Sequence, residues 1–522
     1  MQLSRLSVGK RILDTKNTMT NAFSGLSKSN ITAFEQCPRR LWLQIHRKDL
    51  MVIDETVQAR IDAGNLVGEV ACRLHPSAIL VEAEPDLKAA IEMTQALITD
   101  GTRPIFEATF SFDGVLVRVD VMEPDGSGGW HVSEVKSSTS AKDYHIGDLA
   151  TQIWVLERCG IRIASANVRH VNNAFVLQSV GDYDGLFKDA ELSTSIKPVM
   201  AKRADVVAAA RNTLVGAEPE CATGVHCHKP FDCEFQHWCS RNDPPPPEWP
   251  ITDFPRSGGK LALEWAAKGI TDIRELPNDA GLNPQHEKIR RAVVSGEISR
   301  DQIAVARDTQ DWAYPRIWID FETIAFPVPI WLGTSPWKQI PFQFSAHIEQ
   351  SDGRIAHVEG LDVTGDDPRP AIAEALAGLP SEGAVIAWNA SFERSCFRSL
   401  ADAVPEYAPA LLSLEARTVD LLPVARSHFY HRDQRGSWSI KAVLPTIAPA
   451  LSYSDLQVKD GGNAQLAYME AIALESGTPR KRAIEAALKT YCERDTWAMV
   501  AIYRGMIDGS RPTLPESTHN IA

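Results

Sequence analysis

Two short stretches of the sequence carry pairs of charged residues two positions apart. RIWIDFETI contains Asp320 and Glu322, and SEVKSS contains Glu134 and Lys136. On a strand, side chains at i and i+2 point to the same face, so each pair projects together. Carboxylate oxygens are hard ligands that suit Mg²⁺ or Mn²⁺. Both stretches are therefore candidate metal sites for phosphate chemistry.

The first candidate site also includes Asp120, which ends the apolar stretch VLVRVD. Carboxylates of Asp120 and Glu134 would converge from neighbouring strands and share a divalent cation. Lys136 beside that cation could orient a water or stabilise charge developing on a phosphate. The structural alternative is a Glu–Lys pair on an exposed strand, which is very common.

The second candidate site gathers acids from three separated segments. Asp320 and Glu322 lie within an apolar strand, where two unpaired carboxylates would be costly to bury without a cation. AVIAWNASFERS places Glu393 on the first turn of a predicted helix, and TYCERDTWAMV places Tyr491 and Asp495 on one helical face. A purely structural explanation would need two basic partners, so a metal explains the strand pair more simply.

Four cysteines recur every six residues over 221–239: Cys221, Cys227, Cys233 and Cys239. A disulfide ladder, a zinc site, an iron–sulfur site and unligated thiols are the possible explanations. The N-terminus lacks the apolar core of a signal peptide, so we expect a cytoplasmic protein, in which disulfides are rare. Zinc motifs usually contain a short C-x₂₋₄-C hairpin, which the five-residue gaps here lack, so the gaps favour an iron–sulfur cluster.

Composition limits the choice of partners. The chain has 522 residues and a net charge of −13, which disfavours nonspecific attraction to nucleic acid or to an anionic membrane. No apolar run is long enough to span a bilayer, so no membrane association is expected. A local basic patch at 426–441 could still grip phosphate, although a solvated loop explains it equally well.

The chain is long enough for several domains. NDPPPPEWP at 242–250 is the clearest boundary, because consecutive prolines exclude helix and interior strand. Hairpins are predicted at Asp113-Gly114 and Asp352-Gly353, a strand pair in ASANVRHVNNAFVL, and a long helix around 478–507. The order of strands and helices predicts an α/β fold with mixed sheets. The predicted segments are a flexible tail at 1–27, a domain at 28–241, a helical linker module at 252–311 and a domain at 315–510.

The region 28–241 resembles PD-(D/E)XK nucleases of the RecB-like branch that carry one early and three late cysteines. The matching residues are Cys37 in ITAFEQCPRRLWL, Asp120, Glu134, Lys136, Gln152 in DLATQIWVL, and the cluster GVHCHKPFDCEFQHWC. The resemblance implies a restriction-endonuclease-like fold in which Asp120 and Glu134 bind metal. Lys136 would assist hydrolysis, and Gln152 would support the site from the following helix.

The same resemblance implies that Cys37, Cys227, Cys233 and Cys239 hold a [4Fe–4S] cluster. Zn²⁺ is the alternative ion, and Cys221 in place of Cys37 is the alternative ligand. The family often has a histidine in an early helix, where this chain has Gly68 and Glu69. Glu69 is the expected substitute metal ligand, and Glu107 is another candidate.

The region 315–510 resembles the DEDD 3′–5′ exonucleases, the DnaQ-like branch of the RNase H fold. DFE matches the first motif, NASFE the second and YCERD the tyrosine variant of the third. By resemblance, Asp320, Glu322, Glu393 and Asp495 hold two metal ions, and Tyr491 orients the attacking water. Glu393 stands where the family usually has aspartate.

Together the two regions resemble bacterial fusions of a RecB-like nuclease with a DnaQ-like exonuclease domain. This resemblance implies a metal-dependent nuclease, more narrowly an exonuclease, that acts on DNA ends in repair, processing or defence. One alternative is a nucleic-acid-binding scaffold whose centres have decayed. Another is an RNA-processing 3′–5′ exonuclease that uses only the C-terminal centre.

Overall fold

The computed structural model describes residues 25–53, 55–83 and 85–510. The chain divides into two compact units: the first ends at Pro244 and also includes Ala325–Lys338, and the second contains Pro245–Ile324 and the residues from Gln339 onward. The division at Pro244 falls in the proline-rich stretch at 242–250. Residues 252–311, expected as a linker module, belong to the second unit.

The first unit is built on a mixed sheet with the strand order β2-β3-β4-β5-β6-β7, and the short β1 pairs with β4. Its strands are β1 (Leu26–Ser27), β2 (Ile79–Leu80), β3 (Ile105–Phe112), β4 (Val115–Pro124), β5 (Trp130–Lys136), β6 (Ile163–Val171) and β7 (Phe187–Glu191). Its helices are α1 (Lys28–Gln36), α2 (Pro38–His46), α3 (Glu55–Arg73), α4 (Leu87–Asp100), α5 (Asp143–Arg158), α6 (Lys197–Met200), α7 (Arg203–Val215) and α8 (Gln236–Cys239). Residues 1–24 of the predicted tail lie outside the described residues, whereas Leu26 and Ser27 form β1.

The predicted hairpin at Asp113-Gly114 is confirmed, because β3 and β4 pair antiparallel on either side of it. Asp113 and Gly114 both have positive φ, 46° and 61°, as a two-residue hairpin turn of type I′ requires. In β4 the valines at 115, 117, 119 and 121 are buried. This alternation places Asp120 on the opposite face of the strand.

The predicted strand pair in ASANVRHVNNAFVL is wrong. Only the first half forms a strand, β6, and its antiparallel partner β7 begins at Phe187. A loop therefore connects β6 to β7. A hydrogen bond joins its two ends: the backbone N–H of Asn172 donates to Leu186 O at 2.7 Å. The apolar residues after Asn172 therefore belong to a loop, and Leu177 N donates to Thr334 O within the first unit.

The second unit contains a mixed sheet in the order β11-β10-β9-β12-β13 and a separate pair, β14-β8. Its strands are β8 (Ser299–Arg300), β9 (Arg316–Ile324), β10 (Ile340–Glu349), β11 (Ile355–Leu361), β12 (Val385–Ala387), β13 (Thr418–Asp420) and β14 (Phe429–Tyr430). Its helices are α9 (Gly258–Ala266), α10 (Pro284–Ser295), α11 (Gln302–Asp308), α12 (Arg369–Ala377), α13 (Ser391–Ala403), α14 (Ala408–Ala416), α15 (Leu421–His428), α16 (Ile440–Ile447), α17 (Gly461–Ala473) and α18 (Pro479–Ile507).

The sheet of the second unit contains both antiparallel and parallel strand pairs, as expected for a mixed sheet. β10 is antiparallel to β9 and to β11, with the predicted turn at Asp352-Gly353 between β10 and β11. β12 runs parallel to β9 and β13, and the helices α13 and α14 lie between β12 and β13 in the chain. The long predicted C-terminal helix is present as α18.

Both units are mixed α/β, the broad class that the sequence predicted. Among the described residues, no helix has the length and apolarity that crossing a membrane requires.

Candidate metal and catalytic sites

The first candidate centre lies on the adjacent strands β4 and β5. Asp120 Oδ2 accepts a hydrogen bond from Val135 N at 2.7 Å. Glu134 Oε1 accepts from Lys136 Nζ at 2.7 Å and from Lys28 Nζ at 2.5 Å. Asp120 therefore contacts the backbone next to Glu134 on the neighbouring strand, and two ammonium groups contact Glu134 itself.

The pKa values of the two acids of this centre are shifted in opposite directions. Burial, and then the charge of Glu134, raise the pKa of Asp120 to about 7. Glu134 is only 2% exposed, and burial opposes its ionisation, but Lys28 and Lys136 outweigh burial and lower its pKa to about 2. Glu134 therefore stays charged in the metal-free protein. Asp120 is the acid whose ionised form an added cation would stabilise more.

Helix α5 completes the network around Glu134. Gln152 Nε2 donates to Glu134 Oε2 and, at 3.1 Å, to Arg118 O. Lys136 Nζ also lies 3.3 Å from Asp148 Oδ2. Gln152 therefore occupies the supporting position expected for it, and Asp148 and Lys28 are polar partners that the sequence did not single out.

Glu107 is a better candidate than Glu69 for the third acidic metal ligand of this centre. Glu69 is exposed and forms an ion pair with Arg73 at 3.3 Å. Glu107 lies opposite Asp120, since the β3–β4 register pairs the residues on both sides of these two. Its φ of 55° interrupts the ladder locally, and positive φ at a non-glycine residue often marks a functional site. Among the described residues, the tightest groups of metal-type ligands do not include Asp120 or Glu134.

Removing Lys28 is expected to shift the pH dependence of cleavage by the first centre. Without this ammonium, burial of Glu134 is less opposed, so its pKa rises. In Lys28→Ala the acidic limb of the pH–rate profile should therefore move to higher pH, measured with the second centre disabled. Lys88→Ala, which removes an exposed lysine of the same unit, should leave the profile in place. An unshifted acidic limb in Lys28→Ala would contradict this role.

The structure brings all the predicted cysteine ligands to one small cavity. Its walls include five cysteines and a histidine: Cys37, Cys221, Cys227, Cys233, Cys239 and His226. The closest group is Cys37, Cys221 and His226, whose ligand atoms all lie within 4.8 Å of one another. Both Cys37 and its alternative, Cys221, are therefore present, and His226 is an additional donor that the sequence did not identify.

This donor set fits a thiolate-bound cofactor. Burial raises the pKa of Cys221 and of Cys233 to about 11 and also raises that of Cys239, so these thiols need a cation to ionise. Sulfur ligands suit zinc or an iron–sulfur cluster, which would supply a cross-link between distant segments. All nine cysteines lie in the described part of the chain, and none is in a disulfide.

Protein purified without oxygen is expected to be brown, with iron and sulfide at about four each per chain. Cys37→Ser should lose the cofactor and lower the Tm, because the site joins segments almost two hundred residues apart. Cys221→Ser tests the alternative ligand, and Cys159→Ser, at an exposed cysteine, is the control. Colourless protein with stoichiometric zinc would contradict the iron–sulfur assignment.

The second candidate centre is a compact group of carboxylates in the second unit. Asp320 and Glu322 come from β9, and Asp495 comes from α18; one oxygen of each lies within 4.8 Å of the others. Glu322 and Asp495 are 7% and 6% exposed. Three acids from two elements therefore share one poorly hydrated space, as the sequence predicted.

The fourth acid, Glu393, lies on the first turn of α13 after the turn residue Asn389, which has a φ of 69°. Glu393 is 2% exposed, and its Oε2 is buried without a hydrogen-bond partner. It is near enough to raise the pKa of Asp320, after the larger effects of burial, Asp495 and Glu322. A buried carboxylate oxygen without a partner, on a residue close enough to raise the pKa of Asp320, fits a missing cation better than a structural role.

The pKa values of all four acids are raised, because their ionised forms are unfavourable in this site. Burial raises the pKa of Glu322 and of Glu393 to about 8 and that of Asp495 to about 6. Burial, followed by the neighbouring acids, raises the pKa of Asp320 well above its ordinary value. Divalent cations would reverse these shifts, and oxygen donors are what Mg²⁺ and Mn²⁺ prefer.

Two tyrosines and a lysine border the cluster. Lys441 Nζ donates to Tyr491 Oη at 3.2 Å, and Tyr453 Oη donates to Asp495 Oδ1 at 2.5 Å. Tyr453 was not predicted, because it lies in an irregular segment without a motif. Asp420 accepts from Leu422 N as the N-cap of α15, which is a structural role.

Comparison with known proteins finds a similarity in the C-terminal half of the chain. A family model described as "Domain of unknown function (DUF2779)" matches residues 317–439. The matched segment contains Asp320, Glu322 and Glu393 and ends before Tyr491 and Asp495. No curated protein matches the chain.

Proposed function

We propose that this protein is a metal-dependent nuclease that hydrolyses phosphodiester bonds at DNA ends, in repair, processing or defence. The observation that carries the proposal is the close group of Asp320, Glu322 and Asp495, two of them buried, together with the buried Glu393, whose Oε2 has no hydrogen-bond partner. Three acids in one space and a fourth nearby, all with raised pKa values, are best explained by divalent cations. The resemblance of their motifs to DEDD exonucleases supplies the reaction.

The residues of the second centre would divide the work. Bound Mg²⁺ or Mn²⁺ would acidify a water and neutralise charge on the scissile phosphate. Asp320, Glu322, Glu393 and Asp495 would hold the ions, and Tyr453 fixes one oxygen of Asp495. Lys441 donates to Tyr491 Oη, and the Tyr491 hydroxyl is hydrogen-bonded to Asp495. A water or a phosphate oxygen would have to replace Asp495 as the acceptor of the tyrosine proton.

The first centre would act on the same class of substrate. Asp120, Glu134 and Glu107 supply oxygen donors on neighbouring strands, and Lys136 is held beside them by Glu134 and Asp148. Once a cation compensates Glu134, an ammonium of this kind can turn towards a phosphate. The cysteine site would stabilise the unit rather than take part in hydrolysis.

Glu393 provides a specific test of the DEDD proposal. Glu393→Asp restores the family's usual side chain and should keep or raise activity, because aspartate also supplies a carboxylate. Glu393→Ala should lose the activity of the second centre, measured as release of nucleotides from end-labelled DNA. Full activity in Glu393→Ala would mean that α13 does not present a metal ligand.

The experiment that tests the proposed function is a cleavage assay on labelled single-stranded and double-stranded DNA and on RNA. Degradation of DNA with Mg²⁺ or Mn²⁺ that stops with EDTA is the expected result. Binding without cleavage under every metal condition would replace the nuclease by a binding scaffold. Cleavage of RNA alone would replace it by an RNA-processing enzyme.

A further inference from the structure

A second group of metal-type ligands lies apart from the carboxylate cluster in the second unit. It consists of His347 on β10, His357 on β11 and Glu493 on α18, and one ligand atom of each lies within 4.8 Å of the others. The β10–β11 register places the two histidines directly opposite each other, with ring centroids 4.7 Å apart. The DEDD resemblance does not use these residues.

Hydroxyl groups fix the tautomer of each histidine. The hydroxyl of Thr496 donates its one proton to the carbonyl of Glu493 at 3.1 Å, since a carbonyl can only accept. Its oxygen then accepts from the Ser345 hydroxyl and from His347 Nδ1–H, each at 2.8 Å. Ser345 in turn accepts from His357 Nε2–H at 2.8 Å.

This chain of hydrogen bonds leaves one lone pair on each ring: Nε2 of His347 and Nδ1 of His357. His357 Nδ1 is the atom that lies 4.0 Å from Glu493 Oε1. Burial lowers the pKa of His347 to about 3 and also lowers that of His357, so both rings are neutral and able to ligate. Hydrogen bonds to the far nitrogen are how proteins orient histidine ligands of metals.

We propose that His347, His357 and Glu493 form a transition-metal site whose ion is Zn²⁺. Two imidazoles and one carboxylate are borderline donors that suit zinc, whereas the carboxylate cluster suits Mg²⁺ or Mn²⁺. Ligand atoms of a tetrahedral zinc lie about 3.3 Å apart, so the three ligand atoms, now within 4.8 Å of one another, would move closer together when the ion binds. The side chain of Glu493 is 39% exposed, which leaves room for it to move.

The ion would tie β10 and β11 to α18. Glu493 lies two residues before Asp495 on that helix, and Ser345 pairs with Asp320 across β10 and β9. The zinc site would therefore hold α18, which supplies Asp495, against β10, the strand that pairs with β9. Binding of zinc does not depend on the nuclease proposal, since neither histidine belongs to that cluster.

The test counts zinc per chain in the full-length protein. Metal-stripped protein receives Zn²⁺ in excess Mg²⁺, which fills the carboxylate cluster, and bound zinc is measured by mass spectrometry after gel filtration. His357→Ala and Glu493→Gln should each bind one zinc fewer than the wild type, or bind that zinc at least about tenfold more weakly. The cysteine site contributes equally to every sample.

Two controls match these substitutions. Glu485→Gln changes a glutamate on the same helix, and His428→Ala changes a histidine elsewhere in the unit; both should keep the wild-type count. Glu493→Gln decides the outcome if His357→Ala fails to fold, because Glu493 is partly exposed. Thr496→Val should weaken zinc affinity about tenfold through the lost hydrogen bond. Wild-type zinc counts and affinities in both ligand variants would overturn the proposal, as would an equal loss in the controls.

Discussion

Asp320→Ala, Glu322→Ala and Asp495→Ala are each expected to lower exonuclease activity by roughly 10³-fold or more. The three carboxylates share one space, so removing one oxygen donor should release the shared cations. Combining the substitutions should add little, because residues that work as one unit are strongly non-additive. The measurement is nucleotide release from end-labelled DNA in a Lys136→Ala background, which silences the first centre.

The exposed Asp311 of the same unit offers a matched control. Asp311→Ala removes an equal charge away from the cluster and should retain full activity. Losses that multiply when the cluster substitutions are combined would indicate separate, independent roles. Such a result would contradict a shared metal centre.

Asp320→Asn is expected to stabilise the metal-free protein at pH 8 while abolishing stabilisation by Mn²⁺. The buried acids repel one another without a cation, and the substitution removes one of the charges. In EDTA the Tm of the variant should exceed that of the wild type by roughly 3–6 °C. With Mn²⁺ the order should reverse, because only the wild type binds the ions.

The pH dependence of this effect follows from the raised pKa values. Glu322 has a pKa of about 8 in the fold against an ordinary 4.5, and Asp495 has about 6 against 3.8. Between those values the folded protein binds more protons than the unfolded chain, so the free energy of unfolding falls as pH rises from about 4 to 8. The advantage of Asp320→Asn should therefore shrink towards pH 5. Asp311→Asn should show neither effect. An Asp320→Asn protein that is less stable than the wild type in EDTA at pH 8 would contradict the predicted repulsion among the acids.

Local patterns predicted much of the fold. The turn at Asp113-Gly114 and the turn at Asp352-Gly353 were predictable because each requires a specific backbone conformation that these residues favour. The long helix α18 and the central strand β9 were predictable from their residue patterns. The strand β7 was missed, because its pairing with β6 depends on a long connection that no short-range signal encodes.

The candidate sites were predicted to the extent that their residues lie in motifs. Asp320, Glu322 and Asp495 were expected to meet, and they do. Lys28 was not expected at Glu134, because the two residues are 106 positions apart and a lone lysine in a polar segment carries no pattern. His347 and His357 were missed because nothing in their strand sequences marks them as metal ligands. They come together with Glu493 only when β10 pairs with β11 and both strands pack against α18.

Release of nucleotides from end-labelled DNA decides whether the carboxylate cluster is a nuclease centre. It is measured for the Lys136→Ala protein and for the Lys136→Ala/Asp320→Ala protein, each with Mn²⁺ and with EDTA. We expect hydrolysis by Lys136→Ala in Mn²⁺, none in EDTA, and none by the double variant under either condition. A rate in Mn²⁺ that is unaffected by Asp320→Ala would show that the buried carboxylate cluster is not a nuclease centre.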